Sequence, residues 1–143
     1  MQLEVFDHVS MATRDLARSV AFYRSVLGFR PIARPAFRSE GAWLAAGALE
    51  IHLTVNPNGH FRRPELNPGD IHFAARVRDF AAMEGHLRDL GYSETAPEGD
   101  PRRLLFRRNG PAPYQQVYLL DPDFHQIELN DGPVPEGWSP VRS

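Results

Sequence analysis

The sequence predicts an α+β fold of two βαβββ modules, forming a curved, partly closed mixed sheet around a central cavity. Three observations predict it: an internal repeat, a helical period inside each copy, and strand-like stretches after each helix. Laying the chain on itself sets Asp7-His8-Val9 over Ile71-His72-Phe73. The same offset (72 minus 8, or 64 residues) puts Asp15 on Asp79 and Leu16 on Phe80. After a slip of one residue, Leu27-Gly28-Phe29 falls on Leu90-Gly91-Tyr92. Self-similarity at a fixed spacing marks a duplicated supersecondary unit.

Within each copy a strand leads into a polar turn with an aspartate, then into an amphipathic segment. Leu16, Val20, Tyr23 and Leu27 lie on one face of a 3.6-residue helix, as do Phe80, Met83, Leu87 and Leu90. Asp15 and Asp79 stand at or near the first turn, where unpaired amides favour a carboxylate. Gly28 and Gly91 stand where a left-handed C-cap would end each helix. Strands are expected at about 29–35, 40–46 and 49–55, and again at about 92–96, 114–120 and 125–130. The segment 97–113 interrupts the second copy, and the period of Arg102–Arg108 does not decide between strand and short helix. These bounds give module one as 1–55, a turn-rich linker as 56–68, module two as 69–131 and a tail as 132–143. Each half alone would expose an apolar sheet face, so the two are expected to pack as one domain. Pairing with a second copy is an equally physical solution, and a homodimer is expected.

Composition narrows the function. The chain has 143 residues, 42% hydrophobic and 24% charged, as a globular domain does. A formal charge of −2 argues against nucleic acid as the partner. With no cysteine, thiolate ligands, thiol nucleophiles and disulfides are all removed, which suits a cytoplasmic setting. Neither a signal peptide nor a membrane span is visible, so no membrane partner is expected. Several of the 13 prolines fall in the connections and read as stiff loops.

Strand alternation then groups the side chains that can carry chemistry. His8 shares a face with Phe6 and Ser10, His72 with Ala74, and Glu128 with Gln126 and Asn130. Superposing Gln126-Ile127-Glu128-Leu129 on Glu50-Ile51-His52-Leu53 matches Glu128 with His52. His8, His52, His72 and Glu128 thus occupy four repeat-related positions, and all four side-chain types ligate divalent metals. A glutamate between apolar Ile127 and Leu129 would be costly to bury without such a partner. Tyr118 and Gln116, on alternate positions of the preceding strand, are candidates to face the cavity, and Tyr118 could then donate a proton or hydrogen bond. Its alternative role is packing. His60 and His86 read as solvated, and His125 as lying outside the metal shell. Arg102, Arg103, Arg107 and Arg108 read as a solvated charged segment rather than an anion site.

These residues resemble the vicinal oxygen chelate superfamily, the glyoxalase/bleomycin-resistance/dioxygenase group. Phe6-Asp7-His8-Val9, Asp15-Leu16, Phe22-Tyr23 and Val26-Leu27-Gly28-Phe29 look like its first module. Asp70-Ile71-His72-Phe73-Ala74 with Val77 and Asp79, Val117–Asp123, and Gln126-Ile127-Glu128-Leu129 look like its second. The resemblance implies one divalent metal ion (Fe, Mn, Ni, Co or Zn) held by His8, His72 and Glu128, with His52 a fourth candidate. His52 falls where glyoxalase I enzymes commonly carry glutamate, a departure from their pattern. Phe124 replaces the glycine usual after Asp-Pro-Asp, which predicts a non-standard hairpin without positive φ at that residue.

The expected function is that of a metal-dependent small-molecule enzyme, with the metal a Lewis acid on vicinal substrate oxygens. It would be an isomerase or lyase, with His52 or Glu128 as proton shuttle, or an extradiol-type dioxygenase. The alternatives are a metal-free drug-binding protein of the bleomycin-resistance kind and a fosfomycin-type thiol transferase.

Overall fold

The computed structural model describes residues 1–110, 112 and 114–133, so most of the expected 132–143 tail lies outside the described residues. The chain divides into two compact units, one from Met1 to His60 and one from Phe61 onward, with the division inside the expected linker. Each unit is a βαβββ module with one four-stranded mixed sheet, and neither sheet is closed. No helix among the described residues is long and apolar enough to cross a membrane.

In the first unit, β1 (His8–Thr13) leads into α1 (Leu16–Ser25), followed by β2 (Arg30–Ile32), β3 (Gly41–Ala46) and β4 (Leu49–Val55). The sheet order is β1-β4-β3-β2, with β1 parallel to β4 and the other pairs antiparallel. Asp15 caps α1 by accepting the Arg18 amide at 3.0 Å. At the other end Gly28 takes φ +72°, which lets the Phe29 amide return to the Tyr23 carbonyl at 2.9 Å. One face of the sheet carries buried Met11, Leu44, Ile51 and Leu53, covered by Phe22 and Tyr23 of the helix. The other face is left to polar and aromatic side chains.

The second unit repeats this plan with β5 (Phe73–Arg76), α2 (Phe80–Asp89), β6 (Leu105–Arg107), β7 (Gln116–Leu120) and β8 (Gln126–Asn130). Its order is β5-β8-β7-β6, again with one parallel pair, β5 and β8. Asp79 caps α2 on the Ala82 amide at 2.9 Å, and Gly91 takes φ +85°. Phe80, Leu87, Val117, Leu119 and Ile127 form the buried side.

Two expectations change here. The strand expected at 92–96 is only a single bridge, Ser93 to Arg103, and the strand that fills its topological place is β6. β6 lies inside the segment read as an interruption, because its place is set by pairing with β7, a contact the local period does not encode. The hairpin between β7 and β8 is the second correction. Phe124 does take positive φ, +68°, the one non-glycine residue to do so among the described residues. The turn around it is ordinary: Phe124 N–H donates to Asp121 O at 2.9 Å, and Asp121 N–H to His125 O at 3.0 Å. The buried Asp121 carboxylate also accepts the Asp123 and His125 amides, and these bonds hold the chain in a left-handed turn that phenylalanine alone would avoid. The left-handed conformation costs a side-chain-bearing residue about 1–2 kcal/mol. Phe124→Gly should therefore raise the urea midpoint, with a gain of about 1 kcal/mol. A lower midpoint would show that contacts of the half-buried ring outweigh the backbone relief.

Candidate metal centre

Strand register brings the candidate residues into two equivalent rows. In the first sheet, Ser10 pairs with His52 and His52 with Trp43. In the second, Ala74 pairs with Glu128 and Glu128 with Tyr118. His52 and Glu128 thus hold the same station in their sheets, as do Trp43 and Tyr118. His8 opens β1, and His72 immediately precedes β5.

The second unit joins His72 to Glu128. Nδ1 of His72 lies 2.8 Å from the Asp70 carbonyl, an oxygen that can only accept, so Nδ1 carries the proton. Nε2 is then the outward nitrogen, 3.3 Å from Oε2 of Glu128. A ring nitrogen and a carboxylate oxygen held so close call for a cation between them, either a proton or a metal. Metal bonds from nitrogen and carboxylate oxygen run about 2.0–2.2 Å, which a 3.3 Å ligand pair spans. The donor chemistry therefore fits a divalent ion.

Glu128, only 5% exposed, is held from both sides. Tyr118 OH donates to Oε2 at 2.8 Å, and Asn130 Nδ2 donates to Oε1 at 2.7 Å. Gln116 Nε2 donates in turn to the Tyr118 oxygen at 3.0 Å. The Gly132 amide, donating to Asn130 Oδ1 at 3.2 Å, fixes which end of that side chain faces the carboxylate. Burial pushes the Glu128 carboxyl up, yet hydrogen bonding by Gln116, Tyr118 and Asn130, with the adjacent His72, holds it below the ordinary value. Tyr118 is pushed up to about 12, by burial and by its bond to the carboxylate.

The first unit joins His8 to His52 in another manner. His8 Nδ1 bonds Oδ2 of Asp7 at 2.6 Å, which again leaves Nε2 as the open nitrogen. The His8 ring stacks on His52 at 3.9 Å and 18°, and His52 stacks on Trp43 at 3.9 Å and 6°. Lone pairs of stacked rings run side by side instead of converging, so an ion in the plane of one ring lies well outside the plane of the other. Nε2 of His52 is buried without a hydrogen-bond partner; Oε2 of Glu50 stands 3.5 Å away and does not make one. Within each unit the candidates come as a pair, and no group of three or more such side chains gathers among the described residues.

His60 and His86 are exposed, and His125 lies beside Phe61. Arg108 is tied to Glu84 by two bonds of 3.0 and 2.9 Å, and Arg103 donates to the Ala96 carbonyl at 2.7 Å. Sequence reasoning gave no role to Trp43 or Asn130. Both were within reach: the hairpin over Gly47 pairs residue 43 with 52, and Asn130 follows Glu128 by one alternation.

The sequence profile of the Glyoxalase/Bleomycin resistance protein/Dioxygenase superfamily matches residues 5–129. The chain belongs to this superfamily. Its relatives there include Glyoxylase I 4 of Arabidopsis thaliana, 32% identical over 132 residues, which cover 90% of this chain and 71% of the relative. Glutathione transferase FosA of Serratia marcescens is 27% identical over 91% of this chain and 82% of its own. Among solved structures, a mutant of the fosfomycin resistance protein FosX from Listeria monocytogenes superposes with a TM-score of 0.68. It is 16% identical, covers 93% of this chain and 95% of its own, and holds Mn(II) and 1S,2S-dihydroxypropylphosphonic acid. That likeness shows a shared fold.

Proposed function

We propose that the chain is a divalent-metal-dependent enzyme of the isomerase or lyase kind, acting on a small molecule with two adjacent oxygens. The observation that carries this reading is Nε2 of His72 standing 3.3 Å from the Glu128 carboxylate, with Nδ1 already committed to Asp70. The proposed ligands are His8, His72 and Glu128, and the Mn(II) in a related structure supports the cofactor class. When bound, the metal supplies Lewis acidity to both substrate oxygens. Tyr118 and Asn130 keep the Glu128 carboxylate anionic and aimed. With its pKa near 12, Tyr118 stays protonated at neutral pH and orients the carboxylate rather than exchanging a proton. The stacking favours His52 as a proton carrier over a fourth ligand, because Trp43 fixes its ring and its Nε2 is uncommitted. A homodimer and a cytoplasmic location belong to the same reading.

A second reading, thiol transfer to a small molecule, draws support from the likeness to glutathione transferase FosA. Metal analysis of untagged protein, purified without added metal, tests both against a binding protein. About one equivalent of divalent ion is expected. Less than about a tenth of an equivalent, with no gain on reconstitution, would move the reading to a metal-free binding protein. Turnover in Ni(II) or Zn(II) without oxygen would exclude an extradiol-type dioxygenase.

A further inference from the structure

The second sheet carries a cavity of about 140 Å³ that the metal ligands do not use. Its sheet side is Leu105 and Leu120, which lie on the same face as Tyr118 and Glu128: Leu105 pairs with Tyr118, and Leu120 follows it by two residues. At about 3.4 Å per residue, Leu120 is roughly 7 Å along the strand from Tyr118. Its opposite side is half-buried Pro64 and Leu66, from the segment that leads to His72. A clamp fixes that segment. Gln126, 2% exposed and on the same sheet face, accepts the Asn67 amide at Oε1 (2.6 Å) and donates Nε2 to the Asn67 carbonyl (2.8 Å). Loop 98–103 supplies the charged side, with Arg103 tied to the Ala96 carbonyl.

We infer that this cavity is a specificity subsite for a compact aromatic substituent, borne by a substrate whose adjacent oxygens lie toward Glu128. The inference rests on the metal-enzyme reading above for the oxygens, and on the cavity alone for the ring. The shape supports it: Pro64 and Leu66 face Leu105 and Leu120 as two apolar walls about one ring's volume apart, and the charged side chains of Glu98, Asp100 and Arg103 are left for the edge of the ring. So does the construction: a buried glutamine spends both ends of its amide on one residue, which keeps Leu66 across from Leu105 and Leu120.

Two titrations test it. In the first, benzyl alcohol is added to the whole ¹⁵N-labelled protein without metal. The amides of Leu66, Leu105 and Leu120 should shift together and saturably; no shift at these residues overturns the subsite, whatever the metal does. In the second, Mn(II)-loaded protein is titrated calorimetrically with benzoylformate and with pyruvate, which share adjacent oxygens and differ in the ring. Benzoylformate should bind at least about tenfold tighter. Leu105→Phe, which fills the cavity from an edge strand, should abolish the difference and leave pyruvate unchanged. Equal binding of the two acids to wild-type protein, or an unaltered ratio in the variant, overturns the inference. Amide shifts with benzyl alcohol but no binding of either acid would keep the subsite and defeat the metal reading instead.

Discussion

Glu128→Ala is expected to lower Mn(II) affinity by more than about 100-fold, since even partners of a ligand are worth 10- to 100-fold. The carboxylate is the one anion among the proposed ligands, and its orientation is enforced from Tyr118 on one oxygen and Asn130 on the other. Its removal also leaves two buried donors without their acceptor, at about 1–3 kcal/mol each, so the variant should unfold earlier in urea even without metal. Tyr118→Phe separates the effects. It removes one donor, keeps the ligand, and should weaken Mn(II) by about 10- to 100-fold with far less loss of stability. Calorimetric titration and metal content after gel filtration measure both. Retention of wild-type metal by Glu128→Ala would remove Glu128 from the site.

The largest effect on folding is expected at Gly41. A methyl group there would stand 2.3 Å from the Leu53 carbonyl oxygen, with the Arg34 guanidinium 3.1 Å away. The close neighbour is backbone of β4, so no rotamer change relieves the clash, and β3 must part from its partner locally. Gly41→Ala should cost about 3 kcal/mol, at the upper end of overpacking, and lower Tm by roughly 10 °C. Trp43 lies two residues along the same strand, so the His52 stack should loosen too, visible as a change in tryptophan fluorescence. A Tm within a degree or two of wild type would mean that the strands yield more readily than their register suggests.

How much of this was legible in the sequence depends on how local its cause is. Asp15, Asp79, Gly28 and Gly91 could be read because caps and left-handed termini are decided within one turn of helix. The stations of His52 and Glu128 could be read because the duplication carries register from one copy to the other. β6 could not, since Leu105–Arg107 is a strand only through its pairing with β7. Phe124 misled for the opposite reason: its backbone is dictated by the amides that Asp121 gathers, not by its own preference. The Asp70 carbonyl, which sets the tautomer of His72, is a backbone atom and invisible to any reading of side-chain types.

The two rows of the duplication have a consequence for charge. Ser10, His52 and Trp43 carry no formal charge as a neutral row, whereas Ala74, Glu128 and Tyr118 carry a single negative one. A dication on two neutral imidazoles and one carboxylate would keep a net charge of about +1. That residual charge would draw oxyanions such as keto acids and phosphonates over neutral diols, and the preference would fade as salt screens it.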